Sequence, residues 1–244
     1  MTKPLVYGFS KIGPGHIRTN LPNQDSFLVK NFGSFSLLVI SDGMGSKKHA
    51  DIGSHAACLA VYKAVVHYVY TERKHHQKNR NIFSMIKKEW LKLISPYNPK
   101  DCSATCLFVL RSKKKCIAAM LGDGLIYLKG KKKEDSKLLI DEKKDEFSNS
   151  TVSMSDTNYL NEWRFISVST KKITSVFMSS DGISSDLIQG KEKEFVDDFL
   201  LDLTKESTLV KKRSYIKQII DNWPVPKHSD DKTIVIMETE NEQS

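Results

Sequence analysis

The stretch Phe35-Ser36-Leu37-Leu38-Val39-Ile40-Ser41-Asp42-Gly43-Met44-Gly45 decides the fold of this chain. Its first half is almost entirely apolar, which is typical of a strand that is buried on both faces. The strand then runs into a turn that carries an aspartate beside glycine. Asp-Gly is also an ordinary turn signal, so this stretch alone does not identify a functional site. It does predict a sheet that other layers cover on both sides.

Nine further strands are predicted around this stretch, because short apolar or alternating runs are bounded by turn residues. These strands are Leu5–Phe9, Asp25–Val29, Thr105–Leu110, Cys116–Leu121, Leu125–Leu128, Lys137–Ile140, Arg164–Val168, Ser175–Met178 and Thr233–Met237. Apolar residues at helical spacing predict four helices. The helices cover about 50–70, 82–94, 193–205 and 209–223.

No repeat and no linker divides the sequence, so we expect one α+β domain over residues 1–244, with strands in two layers and helices covering them. Residues 141–159 are rich in polar side chains and are expected to form a surface flap. Residues 238–244 form an acidic tail.

Composition limits the class of protein. The chain has 244 residues, 39% of them apolar, and a formal charge of +9, which favours a globular protein over a disordered one. We find no apolar segment long enough to span a bilayer and no signal peptide, so we expect a cytoplasmic protein. The four cysteines form no CxxC pair, and we expect buried, reduced thiols.

Short basic runs account for much of the positive charge. They lie at 73–80, 113–115 and 131–133. Such runs attract phosphate-bearing partners, but short isolated ones are more often solvated turns. No aromatic residues alternate with them as in base-stacking surfaces, so a nucleic-acid-binding function rests on net charge alone. We expect neither a nucleic acid nor a membrane as partner.

Acidic turns that follow or precede apolar strands are the strongest chemical signal. They are Asn23-Gln24-Asp25, Ser41-Asp42-Gly43, Gly122-Asp123-Gly124, Ser180-Asp181-Gly182 and Asp230-Asp231. Strands from distant parts of the chain share one sheet system, so their ends can meet at one edge. Converging carboxylates repel each other unless a cation neutralises them, and an oxygen-only set suits Mg²⁺ or Mn²⁺. Two such ions can lower the pKa of a bridging water, and the resulting hydroxide can attack phosphorus.

The order of these motifs resembles that of the metal-dependent protein phosphatases of the 2C family. The motifs are Asn23-Gln24-Asp25-Ser26, Val39–Gly45, Cys102-Ser103-Ala104-Thr105, Leu121–Gly124, Met178–Ile183 and Asp230–Thr233. Each motif is degenerate, but six in the family's order span nearly the whole chain. The first motif looks most like a bacterial branch of the family, in which Gln often replaces Glu.

The resemblance implies a four-layer αββα sandwich, with two packed antiparallel sheets flanked by helices. It also implies a centre of two Mn²⁺ or Mg²⁺ ions, with a third, weaker ion in bacterial members. Asp42 would bridge two ions, and Gly43 would offer its carbonyl oxygen. Asp181 and Asp230 would each hold a metal, and Asp123 matches the acid that helps to hold the third ion.

Other positions match supporting roles in the family. Asp25 corresponds to an acid that orients metal-bound water. Gln24 stands beside it in place of a carboxylate, which should weaken metal binding somewhat. Ser103 and Thr105 match a strand motif that is mainly structural.

Two departures affect the expected chemistry. The family's phosphate-gripping arginine would stand at Asn20, so Arg18 becomes the candidate phosphate ligand, unless the metals hold the phosphate alone. Arginine binds phosphate through two parallel hydrogen bonds, which asparagine does not replace. Eukaryotic members place a general-acid histidine where this chain has Met44. His16 and His49 are the nearest alternatives, although each is more simply explained as structural, and metal-bound water is another proton source.

The resemblance implies a phosphatase that acts on phosphoserine and phosphothreonine through a metal-bridging hydroxide. Its partners would be phosphorylated proteins and a cognate Ser/Thr kinase with its targets. A catalytic-cysteine mechanism is excluded, because no arginine lies at the spacing such a loop needs after Cys102 or Cys106. The alternative is a catalytically weak or inactive phosphatase-like module for signalling or binding, which the missing arginine and Met44 favour.

Overall fold

Two five-stranded antiparallel sheets form the centre of the molecule in the computed structural model. The structure describes residues 4–72, 82–140 and 151–239. One sheet, sheet A, has the strand order β1-β10-β9-β6-β7, and the other, sheet B, has the order β2-β3-β4-β5-β8. The two sheets and the helices outside them confirm the predicted α+β fold.

All ten predicted strands are present, most of them one or two residues longer than predicted. They are β1 (Leu5–Lys11), β2 (Asp25–Asn31), β3 (Phe35–Asp42), β4 (Cys106–Ser112), β5 (Lys115–Leu121), β6 (Leu125–Gly130), β7 (Lys137–Ile140), β8 (Arg164–Ser169), β9 (Ile173–Ser179) and β10 (Lys232–Glu238).

The four predicted helices are also present, within one or two residues of the expected ends. The α-helices within the described ranges are α1 (Pro14–Thr19), α2 (Ala50–Glu72), α3 (Ile82–Ile94), α4 (Tyr159–Glu162), α5 (Asp181–Ser184), α6 (Glu192–Thr204) and α7 (Leu209–Asp221). The sequence analysis missed α1, α4 and α5, because helices of four to six residues contain too few turns to show a periodic apolar face.

Side-chain alternation along β3 explains its apolar sequence. Leu37 and Val39 belong to the core between sheet B and helices α2 and α3. Leu38 and Ile40 point the other way, into the core between the two sheets. All four side chains are fully buried, so the strand is covered on both faces, as predicted.

A third core lies outside sheet A, where α5, α6 and α7 pack. Phe177 and Ile236 of the sheet meet Phe199 of α6 and Ile216 of α7 there. Three apolar cores between four layers make the αββα sandwich, and each layer buries at least one full face. Burial of this kind is the main favourable contribution to stability.

Acidic tail residues 240–244 and the basic segment 73–80 lie outside the described residues, as does the first part of the predicted flap, 141–150.

Candidate metal centre and active site

The acidic turns meet at one edge of the sandwich. Strand β3 ends at Asp42, and Asp123 lies in the turn between β5 and β6. Asp181 follows the end of β9, and Asp230 precedes β10. All four aspartates line one cavity of about 880 Å³. Residues from four distant parts of the chain therefore share one site, as the sequence analysis predicted.

Three of these carboxylates are close enough to share a cation. Asp42, Asp123 and Asp181 each offer one carboxylate oxygen, and these oxygens lie within 4.8 Å of one another. Asp230 and Gly43 line the same cavity and supply further oxygen atoms. Hard divalent cations such as Mg²⁺ and Mn²⁺ prefer such oxygen ligands, so the residues present fit the implied metal centre.

Backbone contacts fix the end of β3. The amide of Asp42 donates to the hydroxyl of Thr105 at 2.9 Å, and the amide of Thr105 donates to the carbonyl of Asp42 at 2.8 Å. Gly43 follows in an isolated bridge to Ala104. A Cβ atom at this position would lie 2.4 Å from the carbonyl oxygen of Ala50, so only glycine lets the turn approach helix α2 so closely.

Asp25 lies directly opposite Asp42 in the β2–β3 pairing. Its Oδ2 atom accepts hydrogen bonds from Ser180 and Thr233, both at 2.7 Å. Its Oδ1 atom is buried and has no hydrogen-bond partner within the described part of the chain. Burial raises the pKa of Asp25 to about 6, although these two hydrogen bonds act in the opposite direction. A carboxylate with one unsatisfied buried oxygen is suited to hold a water molecule near the metals.

Burial and mutual repulsion raise the pKa values of the carboxyl groups in this cluster. The pKa of Asp181 rises to about 7, first because of burial and then because of the charges of Asp123, Asp230 and Asp25. Burial also raises the pKa of Asp42 well above its usual value, and all four other carboxylates add to the effect. A bound proton or a bound cation therefore stabilises this cluster relative to bare negative charge.

Asp231 is a structural residue that the sequence analysis missed. Its buried carboxylate accepts the backbone amides of Gly13 and Gln24, both at 2.6 Å. The ring of His16 approaches it, with Nδ1 at 2.9 Å from Oδ2. Asp231 thus ties the β1–β2 connection to the start of β10 and fixes its neighbour Asp230 at the cavity. In the sequence, the adjacent pair Asp230-Asp231 was the signal that could have indicated this role.

The basic residues at the cavity differ from those expected. Lys47 and Lys100 line it, together with His16. Arg18 is exposed on α1 and is not among the described residues that line the cavity. Asn20 closes α1 with a φ of 57°, a left-handed conformation that asparagine tolerates well. Asn20, which stands at the position of the expected arginine, therefore ends helix α1.

Of the two candidate histidines, His16 lies at the cavity and His49 does not. The ring of His49 packs on Tyr97, with 4.3 Å between the ring centroids. Met44 and Gln24 both line the cavity. The Oε1 atom of Gln24 is buried and accepts no hydrogen bond from the described residues.

The second part of the predicted surface flap forms a wall of the site instead. Ser153 and Met154 are almost fully buried, and the amide of Met154 donates to the carbonyl of Ala104 at 2.8 Å. Thr151 donates a 2.8 Å hydrogen bond to Asp123. The polar composition of this segment suggested exposure, but its hydroxyl groups are satisfied by each other and by the turns around the cavity. Ser153 and Met154 are therefore buried rather than exposed, whereas Asp156, Thr157 and Asn158 of the same segment are exposed.

All four cysteines are buried and free, as expected. Burial raises the pKa values of the thiols of Cys58, Cys102, Cys106 and Cys116. A nucleophilic cysteine needs a lowered pKa and access to substrate, so the structure also disfavours a thiolate mechanism.

An αββα sandwich with an oxygen-only carboxylate site at one end of both sheets is the architecture of a metal-dependent phosphatase. The family model for protein phosphatase 2C matches residues 12–219. The chain belongs to the protein phosphatase 2C family. A search of curated proteins finds no match.

Solved structures with the same fold cover nearly the whole chain. The Ser/Thr phosphatase Stp1 from Staphylococcus aureus is 16% identical, with a TM-score of 0.65 over 98% of this chain and 96% of that one. A bacterial serine phosphatase is 18% identical, with a TM-score of 0.66 over 98% and 99%. The catalytic domain of PstP in complex with two manganese ions is 15% identical, with a TM-score of 0.58 over 97% and 98%.

None of the helices in the described ranges combines the length and apolar character that a membrane crossing requires.

Proposed function

We propose that this protein is a metal-dependent phosphatase that hydrolyses phosphoserine and phosphothreonine in proteins. The observation that carries the proposal is the convergence of Asp42, Asp123 and Asp181, whose carboxylate oxygens lie within 4.8 Å of one another. Membership in the protein phosphatase 2C family supports the same activity. Phosphorylated proteins are the substrates that this family implies.

Asp42, Asp181 and Asp230 would hold two Mn²⁺ or Mg²⁺ ions, with the carbonyl oxygen of Gly43 as a further ligand. Asp123 would serve a third ion together with Asp181. When bound, two such ions lower the pKa of a water that they share and neutralise charge on the phosphoryl group. PstP, which was crystallised with two manganese ions, supports this number and this metal.

The remaining polar residues at the site would orient the reactants. Asp25 and Gln24 each have a buried oxygen atom that accepts no hydrogen bond from the described residues, and both would hold water in place. Lys47 and Lys100 would attract the phosphate in place of an arginine, because both line the cavity. No ion pair joins either lysine to a carboxylate within the described residues. Arg18 stays a weaker candidate, since its side chain lies outside the cavity lining.

The second candidate is an inactive phosphatase-like module for signalling or binding. The asparagine at position 20 and Met44 favour it, because both remove family residues that handle the phosphate or the leaving group. The intact carboxylate cluster favours activity, because it keeps the oxygen ligands that metal-dependent hydrolysis needs. In either case we infer a cytoplasmic protein whose partners include a Ser/Thr kinase and its targets.

Hydrolysis of p-nitrophenyl phosphate and of a phosphothreonine peptide tests the proposal, with Mn²⁺, Mg²⁺ or EDTA present. We expect activity only with metal, and its loss in Asp42→Asn and Asp181→Asn. The matched control is Asp198→Asn, which removes an exposed carboxylate on α6 and should leave activity unchanged. A folded wild-type protein that binds Mn²⁺ and hydrolyses neither substrate would establish the inactive module.

The role of the two cavity lysines has its own test. Lys47→Gln and Lys100→Gln should raise the KM for the phosphopeptide, because both remove a positive charge that faces the phosphate. Lys48→Gln is the matched control, since Lys48 is exposed in the same loop and is not among the cavity-lining residues. An equal effect of all three substitutions would mean that only general charge matters.

A further inference from the structure

Three lysine runs that are far apart in the sequence meet at the end of the sandwich opposite the cavity. The β8–β9 turn joins them: the amide of Thr170 donates to the carbonyl of Lys114 at 3.1 Å, and the amide of Lys131 donates to the carbonyl of Lys172 at 2.8 Å. Thr170 is nearly fully buried and also donates to the carbonyl of Ser112 at 3.0 Å. The turns therefore stand side by side in a fixed order, from sheet B to sheet A.

We name these eight residues the lysine surface: Lys113, Lys114, Lys115, Lys131, Lys132, Lys133, Lys171 and Lys172. All eight are exposed. Within the described residues, the one ion pair of the surface joins Lys172 to Asp135 at 2.8 Å. Glu134 is the other carboxylate in these turns. Eight lysines against two carboxylates leave a concentrated positive field at one end of the molecule.

The lysine surface and the cavity are separated by the length of the strands. Strand β5 begins at Lys115 and ends at Leu121, two residues before Asp123. Strand β9 begins one residue after Lys172 and ends two residues before Asp181. Seven residues of strand span about 20 Å, so a ligand on the lysine surface leaves the cavity open.

The shape and chemistry of the surface favour an extended acidic peptide. Three adjacent turns form a row rather than a broad plane, and neighbouring hydrogen-bonded backbones lie about 5 Å apart. The row contains lysine and no arginine, and lysine acts as a hydrated point charge rather than as a bidentate phosphate ligand. The row also contains no aromatic side chain for stacking on bases and no apolar side chain for entering a bilayer.

We propose that the lysine surface docks an acidic segment of the phosphoprotein substrate while the phosphorylated residue occupies the cavity. The inference rests on the proposed phosphatase function and adds to it a determinant of substrate choice. A straight extended chain needs about six residues to cover 20 Å. We therefore expect preferred substrates to carry an acidic segment at least that far from the phosphorylated residue.

Two phosphothreonine peptides test this docking. Both carry a flexible spacer of about twelve residues, twice the straight-line minimum, because the chain must follow the protein surface. One peptide ends in five glutamates and the other in five glutamines. An exposed ion pair contributes a factor of about two, so three pairs should raise kcat/KM for the acidic peptide roughly eightfold at low ionic strength. The preference should shrink at about 0.5 M salt.

The variant Lys131→Gln/Lys132→Gln/Lys133→Gln should abolish most of the preference and keep the wild-type rate on p-nitrophenyl phosphate. The matched control removes three exposed charges elsewhere, through Lys193→Gln, Lys211→Gln and Arg213→Gln in α6 and α7. It should keep the preference. Both variants should unfold at the wild-type temperature, since all the replaced side chains are exposed.

Binding of the unphosphorylated acidic peptide, followed by fluorescence anisotropy, separates this inference from the proposed activity. A protein without any phosphatase activity would still bind that peptide through the lysine surface, and the triple Lys→Gln variant would not. Equal binding of acidic and neutral peptides by the wild type would overturn the inference. Tighter binding of duplex DNA or of phosphatidylserine vesicles, lost in the same variant, would also overturn it by identifying a different partner.

Discussion

Replacing Asp181 with asparagine should stabilise the metal-free protein and remove the stabilisation by Mn²⁺. An oxygen atom of Asp181 lies within 4.8 Å of oxygens from both Asp42 and Asp123. Two unit charges at that distance repel by about 3.5 kcal/mol when the effective dielectric constant is about 20. The pKa of Asp181 is raised to about 7, with burial as the largest cause and the charges of Asp123, Asp230 and Asp25 next, so repulsion contributes to the shift without accounting for all of it.

Asparagine keeps the shape of the side chain and removes the charge, but its amide must find new hydrogen-bond partners. That loss costs about 1 kcal/mol, which leaves a net gain of about 2–3 kcal/mol. In a chain of this size each kcal/mol shifts the melting temperature by about 2–4 °C. We therefore expect Asp181→Asn to melt roughly 4–12 °C above the wild type in EDTA at pH 8.

The assay is thermal unfolding in EDTA and in saturating Mn²⁺. The wild type should gain about 2.7 kcal/mol when the metal concentration is a hundred times its dissociation constant, and the variant should gain little. The control Asp198→Asn should follow the wild type in both conditions. A variant that melts below the wild type in EDTA would refute the repulsion argument. A variant with the full Mn²⁺ shift would show that Asp181 is not a ligand.

Three further outcomes follow from the geometry of the site and its supports. In EDTA the free energy of unfolding should increase as pH falls from about 8 to about 4. The pKa values of Asp25 and Asp181 are raised in the folded state, so the folded state takes up protons before the unfolded state does. Melting temperatures measured across this pH range check the prediction, and saturating Mn²⁺ should remove the effect. Thr105→Val should lower kcat, because it removes the hydroxyl that accepts a hydrogen bond from the amide of Asp42 and so misplaces the end of β3. Thr105→Ser keeps this hydroxyl and should retain activity. Equal rates for both variants would contradict the positioning role. Gly53→Ala should destabilise the protein by about 3 kcal/mol in urea unfolding, because the added Cβ would lie 1.9 Å from the carbonyl oxygen of Cys102, in the 3₁₀ turn Pro99–Cys102. His55 is exposed on the same helix, so His55→Ala should have little effect.

The layers of the fold could be predicted because their signal is local. The continuous apolar residues of β3 indicate that this strand is buried on both faces. In α3, the apolar residues Ile86 and Trp90 stand four residues apart, which is helical spacing. The acidic turns at strand ends were equally visible. Their convergence followed from one general rule, that strand ends of one sheet system can meet at an edge, and the structure brings Asp42, Asp123 and Asp181 together.

What the sequence could not provide depends on contacts between distant segments. The buried role of Asp231 requires the amides of Gly13 and Gln24, more than two hundred residues away. The segment around Met154 is polar by composition, yet it packs against Ala104 as part of the cavity wall. The lysine runs each resembled a solvated hairpin tip, and only the β8–β9 turn makes them one surface.

The basic side chains at the cavity are lysines rather than an arginine, which affects how the proposed phosphatase would bind a phosphate group. An arginine in the β1–β2 connection would fix a phosphate through two parallel hydrogen bonds, but here that connection ends helix α1 at Asn20. Lys47, in the loop before α2, and Lys100, in the 3₁₀ turn Pro99–Cys102, line the cavity instead. Lysine attracts phosphate as a point charge and imposes little geometry, so orientation of the phosphoryl group would fall mainly to the metal ions that the aspartates are proposed to hold. Substrate affinity should therefore depend on metal concentration as strongly as the catalytic rate does, and the KM for a phosphopeptide should fall as Mn²⁺ increases.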